Sequence, residues 1–158
     1  MKETHVILVL VHPGSACGST DFHHGKAYAD DERAMLIDRL KTWEGDLVVV
    51  DSDLSDELVQ YPGLDIAIKD ALARAETSGH GARLLAGDDG GDYDAVDWVA
   101  EVRSHVVATG ATHAIVTGAW YHEDDDHGCV NAVHHALTRE GLSVDVDDSA
   151  ISIDIDRN

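Results

Sequence analysis

The segment Val6-Ile7-Leu8-Val9-Leu10-Val11 decides the fold class of this chain. Six consecutive aliphatic residues, most of them β-branched, are typical of a strand that is buried on both faces of a sheet. Parallel strands of α/β proteins have this environment, because helices cover both faces of their sheets. The segment is far shorter than the roughly 18 apolar residues that a membrane-spanning helix needs, so we expect no membrane partner.

Strand-like and helix-like segments alternate along the rest of the chain. This alternation predicts one α/β domain over residues 1–158, with a mainly parallel five- to six-stranded sheet, helices on both faces and a Rossmann-like three-layer α/β/α arrangement. The further predicted strands are Leu47–Val50, Ala82–Ala86, His113–Thr117, Ser143–Val146 and, at an edge, Ile151–Ile155. The predicted helices run from Asp30 or Asp31 to about Trp43, from about Leu64 to Gly79, from Asp92 or Asp94 to Gly110, and from Cys129 to about Glu140, where Gly141 stops the helix.

The charge of the chain is strongly acidic: 31 Asp and Glu residues face 11 Lys and Arg residues, for a formal net charge of −20. One interpretation is a local acidic tail, which usually forms a block of like charge. The acids are instead spread along the whole chain, which favours a halophilic protein whose surface charge is screened at high salt. Such a surface cannot neutralise phosphates, so we expect no nucleic-acid partner.

The start of the chain and its cysteines bear on its compartment. Met1 leads almost directly into the first strand, without a charged and then apolar leader, so we expect a cytoplasmic protein. Two cysteines, Cys17 and Cys129, are too few for a disulfide framework, and their spacing is not that of a zinc ribbon.

The loops after the strands are the expected place for a ligand. In open parallel sheets, ligands bind beyond the carboxyl ends of the strands, where the strand order reverses. If the order is 3-2-1-4-5, the first and fourth strands are neighbours at this switch point and their loops converge. Five of the eleven histidines lie in those two loops: His12, His23, His24, His122 and His127.

Cys129 is the leading candidate for a nucleophile. It is predicted at the first position of the fourth helix, where the helix dipole and unpaired N–H groups favour a thiolate and could hold an oxyanion. The alternative is a small buried residue that packs the turn between strand and helix.

The surroundings of Cys129 resemble the isochorismatase-like cysteine hydrolases. The resemblance rests on Gly118, on Cys129-Val130 followed by a helix and Gly141, and on a strand that ends in Asp147-Asp148-Ser149-Ala150. Asp21-Phe22 loosely resembles the family's Asn-Asp-Phe. The resemblance implies the fold and Cys129 as the nucleophile. The family's catalytic aspartate would fall on His12, and its catalytic lysine has no counterpart between Arg83 and Val99.

The loop that begins at His12 is the second candidate. It reads His12-Pro-Gly-Ser-Ala-Cys-Gly-Ser19, and its small residues would allow backbone to approach a ligand closely. His12 ends a buried strand, which suits either a catalytic base or a core histidine with satisfied hydrogen bonds. The residues that we expect to bind a ligand are Gly14, Ser15, Cys17, Gly118, Trp120 and Tyr121.

A divalent metal such as zinc is a further hypothesis. The candidate ligands are His122, His127, His23 and His24, since imidazole and carboxylate suit zinc and other first-row ions. The alternative for Asp124–Asp126, between two of these histidines, is a solvated loop tip.

The sequence leaves three functions open. The first is a hydrolase of a small amide or ester, with Cys129 as nucleophile and His12 or a histidine after the fourth strand as base. The second is a non-catalytic module of the same fold that binds a small molecule, which the missing aspartate and lysine favour. The third is divalent-metal binding. A homo-oligomer is compatible with each, because edge strands and apolar helix faces often pair.

Overall fold

A computed structural model of the chain describes residues 5–13, 26–50, 62–85, 97–121 and 129–152. Within these ranges strands and helices alternate, and the strand pairings between them are parallel. The predicted α/β fold with a parallel sheet is therefore confirmed. The elements are β1 (Val6–Val11), α1 (Lys26–Thr42), β2 (Asp46–Val50), α2 (Pro62–Thr77), β3 (Ala82–Leu85), α3 (Asp97–Ala108), β4 (His113–Tyr121), α4 (Cys129–Arg139), β5 (Ser143–Val146) and β6 (Ile151–Ser152).

Strand β1 lies at the centre of the strand order β3-β2-β1-β4-β5. It pairs with β2 on one side, where Leu8 is opposite Leu47, and with β4 on the other, where Val11 is opposite Gly118. Strand β6 pairs with the last residues of β4, beyond the part of β4 that pairs with β5. The order reverses between β1 and β4, so the ends of these two strands are adjacent.

Side chains of β1 alternate between two hydrophobic clusters. Leu8 and Leu10 pack with apolar residues of α1 and α2, which we call the α1–α2 cluster. Ile7, Val9 and Val11 pack with residues of α3 and α4, the α3–α4 cluster. Successive strand residues point to opposite faces, and all of Ile7–Val11 are fully buried, so β1 is buried on both faces. This explains why the strand is aliphatic throughout, and a Leu8→Ala substitution in such a core typically costs about 2–5 kcal/mol.

Two predicted element boundaries are wrong. Helix α1 begins at Lys26, so Asp30 and Asp31 lie inside the helix and do not cap it. The residues after Lys26 include alanines, which favour helix, and no Gly or Pro interrupts them. Strand β4 continues four residues beyond the predicted end at Thr117, because β6 supplies a pairing partner for Ala119 and Tyr121.

The predicted helix ends are confirmed at Gly79, Gly110 and Gly141, which directly follow the last turns of α2, α3 and α4. At Gly79 the backbone has a φ of 81°, and the N–H of His80 donates to the Ala75 carbonyl at 2.8 Å. This is the left-handed end that glycine adopts without steric cost. Asp92 and Asp94, the predicted caps of the third helix, lie outside the described residues. Among the helices of the described ranges, none has the length and apolar character to cross a membrane.

Candidate active site at the carboxyl end of the sheet

At Gly118, β4 has no room for a side chain next to β1 at the switch point. The φ of Gly118 is +106°, and a Cβ placed on it would lie 2.0 Å from the carbonyl oxygen of Val11 and 2.6 Å from the Val11 nitrogen. Only a residue without a side chain fits there, so backbone contact accounts for this glycine. A ligand-binding role for Gly118 stays a prediction.

His12 follows β1 directly and is 1% exposed. Its backbone has a φ of 44°, a conformation that costs a non-glycine residue roughly 1–3 kcal/mol. Its N–H still donates to the Val50 carbonyl at 2.8 Å. A continued strand would place side chain 12 on the face of Leu10. Instead the ring contacts Trp98, with ring centroids 4.7 Å apart and planes tilted by 53°, so the positive φ redirects the imidazole.

Cys129 is the first residue of α4, as predicted, and is 8% exposed. It belongs to the α3–α4 cluster, in which β1, β4 and α4 contribute aliphatic side chains. The helix start stabilises negative charge on the sulfur, whereas the aliphatic surroundings oppose it. The balance of these two effects decides whether the thiol is a nucleophile or a core residue.

Trp98 connects the two candidate catalytic residues. Its ring contacts His12, and it also packs against the cluster that contains Cys129. Tyr121, the last residue of β4 and a predicted ligand-binding residue, packs against the same cluster. The structure therefore brings the surroundings of His12 and Cys129 to one face of the sheet, at the carboxyl ends of β1 and β4. Trp98 was not among the predicted site residues, because its position one residue into α3 gives no signal by itself.

Several predicted site residues cannot be placed. The ligand-binding candidates Gly14, Ser15 and Cys17 lie outside the described residues, and so do the metal candidates His23, His24, His122 and His127. Trp120 belongs to β4, and its side chain lies outside the description. Within the described ranges, no group of three or more His, Cys, Asp or Glu side chains is arranged to hold a metal ion.

A chain of four polar side chains, absent from the predictions, lies on the other face of the sheet at the same end. Arg39 donates to both carboxylate oxygens of Asp147, at 2.5 and 3.2 Å. Asp147 accepts the Ser149 hydroxyl at 2.5 Å and the Ser149 N–H at 3.2 Å. The Ser149 oxygen lies 2.7 Å from that of Thr117. Ser149 has one hydroxyl proton, which goes to the carboxylate, so Thr117 is the donor in this last bond.

This polar chain is deeply buried at one end and reaches solvent at the other. Thr117 is 0% and Ser149 1% exposed, whereas the Arg39 side chain is 38% exposed. Burial acts to raise the pKa of Asp147, but the Arg39 guanidinium and the Ser149 hydroxyl and N–H lower it, and the net effect is a lowered pKa. Asp147 therefore stays ionised and paired. Its partner Arg39 is 108 residues away in sequence, and local patterns carry no signal for such a pair.

A second buried carboxylate lies at the amino end of the sheet. Asp46, the first residue of β2, accepts the Gly81 N–H at 2.8 Å and a hydrogen bond from the His5 ring. The His80 Nδ1 lies 3.6 Å from the Asp46 Oδ1, the oxygen that accepts from Gly81. Burial acts to raise the pKa of Asp46, but the Gly81 N–H and the two imidazoles outweigh it and lower the pKa. These contacts fasten β1, β2 and the start of β3 together, away from the candidate site.

Comparison with known proteins adds no assignment: no protein-family model, curated protein or solved structure matches the chain.

Proposed function

We propose that the chain is an isochorismatase-like hydrolase of a small amide or ester, with Cys129 as nucleophile and His12 as base. The observation that carries the proposal is the position of Cys129 as first residue of α4, in the cluster against which Trp98, the ring partner of His12, packs. This is the end of a parallel sheet at which ligands bind, next to its switch point. The resemblance of the Cys129 segment to that family is the second support.

The proposed reaction has two steps. His12 takes the thiol proton, and the sulfur attacks the carbonyl carbon while the N–H groups at the start of α4 hold the oxyanion. The imidazolium then protonates the leaving amine or alcohol, which leaves a thioester on Cys129. Water, deprotonated by His12, attacks the thioester, and the carboxylic acid and the free thiol are released. His12 thereby stands where the family has its aspartate.

We also propose the finer architecture, a Rossmann-like three-layer α/β/α arrangement of a five- to six-stranded sheet. The two separate clusters support it, because α1 and α2 contribute to one and α3 and α4 to the other. Methyl nuclear Overhauser contacts test it. Leu8 should contact Leu36 of α1, and Val9 should contact Val130 of α4. Contacts from one strand residue to helices of both clusters would contradict the arrangement.

A non-catalytic module that binds a small molecule is the second candidate. The burial of Cys129 at 8% exposure among aliphatic side chains favours it, since a structural cysteine is inert in such surroundings. A divalent metal, the remaining hypothesis, depends on histidines outside the described residues.

Thiol reactivity separates the two candidates. In a Cys17→Ser background, Cys129 is the single thiol, and its rate of alkylation by iodoacetamide is measured at neutral pH against the same protein unfolded in guanidinium chloride. A hydrolase predicts a faster rate when folded, and a loss of roughly 10²-fold in ester hydrolysis on His12→Gln. A folded rate below the unfolded rate would reject the nucleophile and leave the binding module. The Cys17→Ser/Cys129→Ser double variant is the control for background reaction.

A further inference from the structure

The polar chain on the α1 face ends one residue before Gly118, where β4 has no room for a side chain next to β1. Thr117 is buried and hydrogen-bonded to Ser149, and the next residue, Gly118, is paired with Val11. Val11 in turn precedes His12, whose ring is on the opposite face against Trp98. A continuous series of contacts thus crosses the sheet, from the half-exposed Arg39 to the candidate site.

Each contact in this series restrains the next. Asp147 is held twice, by the two-pronged Arg39 contact and by its own N–H, which donates to the Val116 carbonyl at 2.9 Å. Through Ser149 the carboxylate fixes the Thr117 hydroxyl, and Thr117 has no freedom to turn because its side chain is fully buried. A displacement of Thr117 moves Gly118, which is the pairing partner of Val11 in the β1–β4 ladder.

We propose that Arg39, Asp147, Ser149 and Thr117 are positioning residues that set His12 from the far side of the sheet. The carboxyl end of β4 is paired with Val11, the residue before His12. A fixed β4 end therefore fixes the backbone at the point where His12, with its positive φ, turns away from the strand. The inference rests on the proposed function only in taking the His12 face as the ligand site. The mechanical connection holds whether or not Cys129 is reactive.

The test uses the hydroxyl of Thr117 and a matched hydroxyl at the other end of the same strand pair. Thr117→Val removes the hydroxyl and keeps a β-branched side chain, and Thr117→Ser restores the hydroxyl. The control is Thr112→Val, because the Thr112 hydroxyl accepts from the His5 N–H just before β1 and β4 begin. Arg39→Gln disturbs the series from its half-exposed end, and this variant leaves the buried residues intact. All variants are made in the full chain with Cys17→Ser.

The main readout is amide hydrogen exchange at His12, whose N–H is bonded to Val50, corrected for the change in global unfolding free energy. Thr117→Val and Arg39→Gln should each raise this exchange by roughly two- to thirtyfold, the range found for residues within coupled networks. Thr117→Ser should restore it, and Thr112→Val should leave it unchanged. In the double variant Arg39→Gln/Thr117→Val, the free energy of opening at the His12 amide should change by less than the sum of the changes in the two single variants.

A merely structural role gives a different pattern. Thr117→Val would then lower the midpoint of unfolding without a selective change at His12, or Thr112→Val would change His12 equally, and either result overturns the proposal. If Thr117→Val does not fold, an unchanged His12 amide in Arg39→Gln overturns it as well. Alkylation of Cys129, measured in parallel, reports on the proposed function: an unreactive thiol with a responsive His12 amide rejects the hydrolase and retains the positioning residues.

Discussion

Asp46, which is buried, and Asp147, which is partly buried, lie at opposite ends of the same sheet, and their partners differ. At the amino end Asp46 is shared between the Gly81 N–H and two imidazoles, His5 and His80. At the carboxyl end Asp147 is paired with the Arg39 guanidinium and a hydroxyl.

The difference in hydrogen-bond partners indicates that the two ends of the sheet have different roles. The amino end joins strands through groups that face solvent, since the side chains of His5 and His80 are 39% and 45% exposed. The carboxyl end has a two-pronged ion pair, continued by hydroxyls that are completely enclosed, behind the strand ends that carry the candidate site. We infer that the contacts at the carboxyl end fix the positions of the strand ends closely, whereas those at the amino end serve only to keep the strands together.

The largest loss of unfolding free energy is expected from a substitution at Gly118, at the carboxyl end of the sheet. Gly118→Ala must displace the Val11 backbone, so we expect a loss of about 4 kcal/mol or more in unfolding free energy, or no folded protein. Gly141→Ala is the control, because its φ of +90° is also positive but a Cβ there meets open space. That substitution should cost only about 1–2 kcal/mol. Urea unfolding measures both, and equal losses would show that the close contact is unimportant.

The next effect concerns the ion pair of the polar chain. Asp147→Asn removes the charge that faces Arg39, so we expect a loss of about 2–3 kcal/mol, as for hydrogen bonds to charged groups. The control is Asp65→Asn, which breaks the exposed pair with Lys69 and should cost about 0.5 kcal/mol or less. Thermal and urea unfolding at neutral pH compare the two. Similar losses in both variants would mean that burial adds nothing to the Arg39 pair.

At the amino end, Asp46→Asn should cost about 1–2 kcal/mol at neutral pH, because the amide oxygen can still accept from Gly81. The pKa of Asp46 is lowered when folded, so the stabilisation from its charge is complete above the unfolded value of 3.8 and is lost as pH falls through the folded pKa. The wild-type midpoint should therefore fall in acid more steeply than that of Asp46→Asn. Parallel pH curves would show that Asp46 is not involved.

The smallest effect per residue concerns the acidic surface, which we propose to be adapted to high salt. With a net charge of −20, the chain should gain stability from low to molar KCl as self-repulsion is screened. Glu76→Gln, at an exposed site near the end of α2, should stabilise by about 0.2–0.5 kcal/mol at low salt and by nothing at molar salt. A melting temperature independent of KCl would contradict the proposal.

Local patterns were sufficient for most of the fold. The aliphatic run of β1 indicated a strand covered on both faces, and the two clusters show why, since its alternate residues pack with different helix pairs. The glycines after three helices marked their ends correctly. The start of α1 at Lys26 was missed because Asp30 and Asp31 offered a plausible cap, and a capping residue is only one of the signals that start a helix.

The candidate site was predictable only in part. The positions of His12 after β1 and of Cys129 at the start of α4 follow from the order of elements. The positive φ of His12 and its contact with Trp98 do not, because they depend on packing between β1 and α3. The Arg39–Asp147 pair joins the last turn of α1 to the end of β5, and a single sequence gives no means to match those two residues.

The contact between the His12 and Trp98 rings gives the molecule an optical reporter of its own site. The chain has three tryptophans, and replacing Trp43 and Trp120 by phenylalanine leaves Trp98 as the single emitter. Its emission would then report on changes in the packing of the His12 ring against it, without a label or a known substrate.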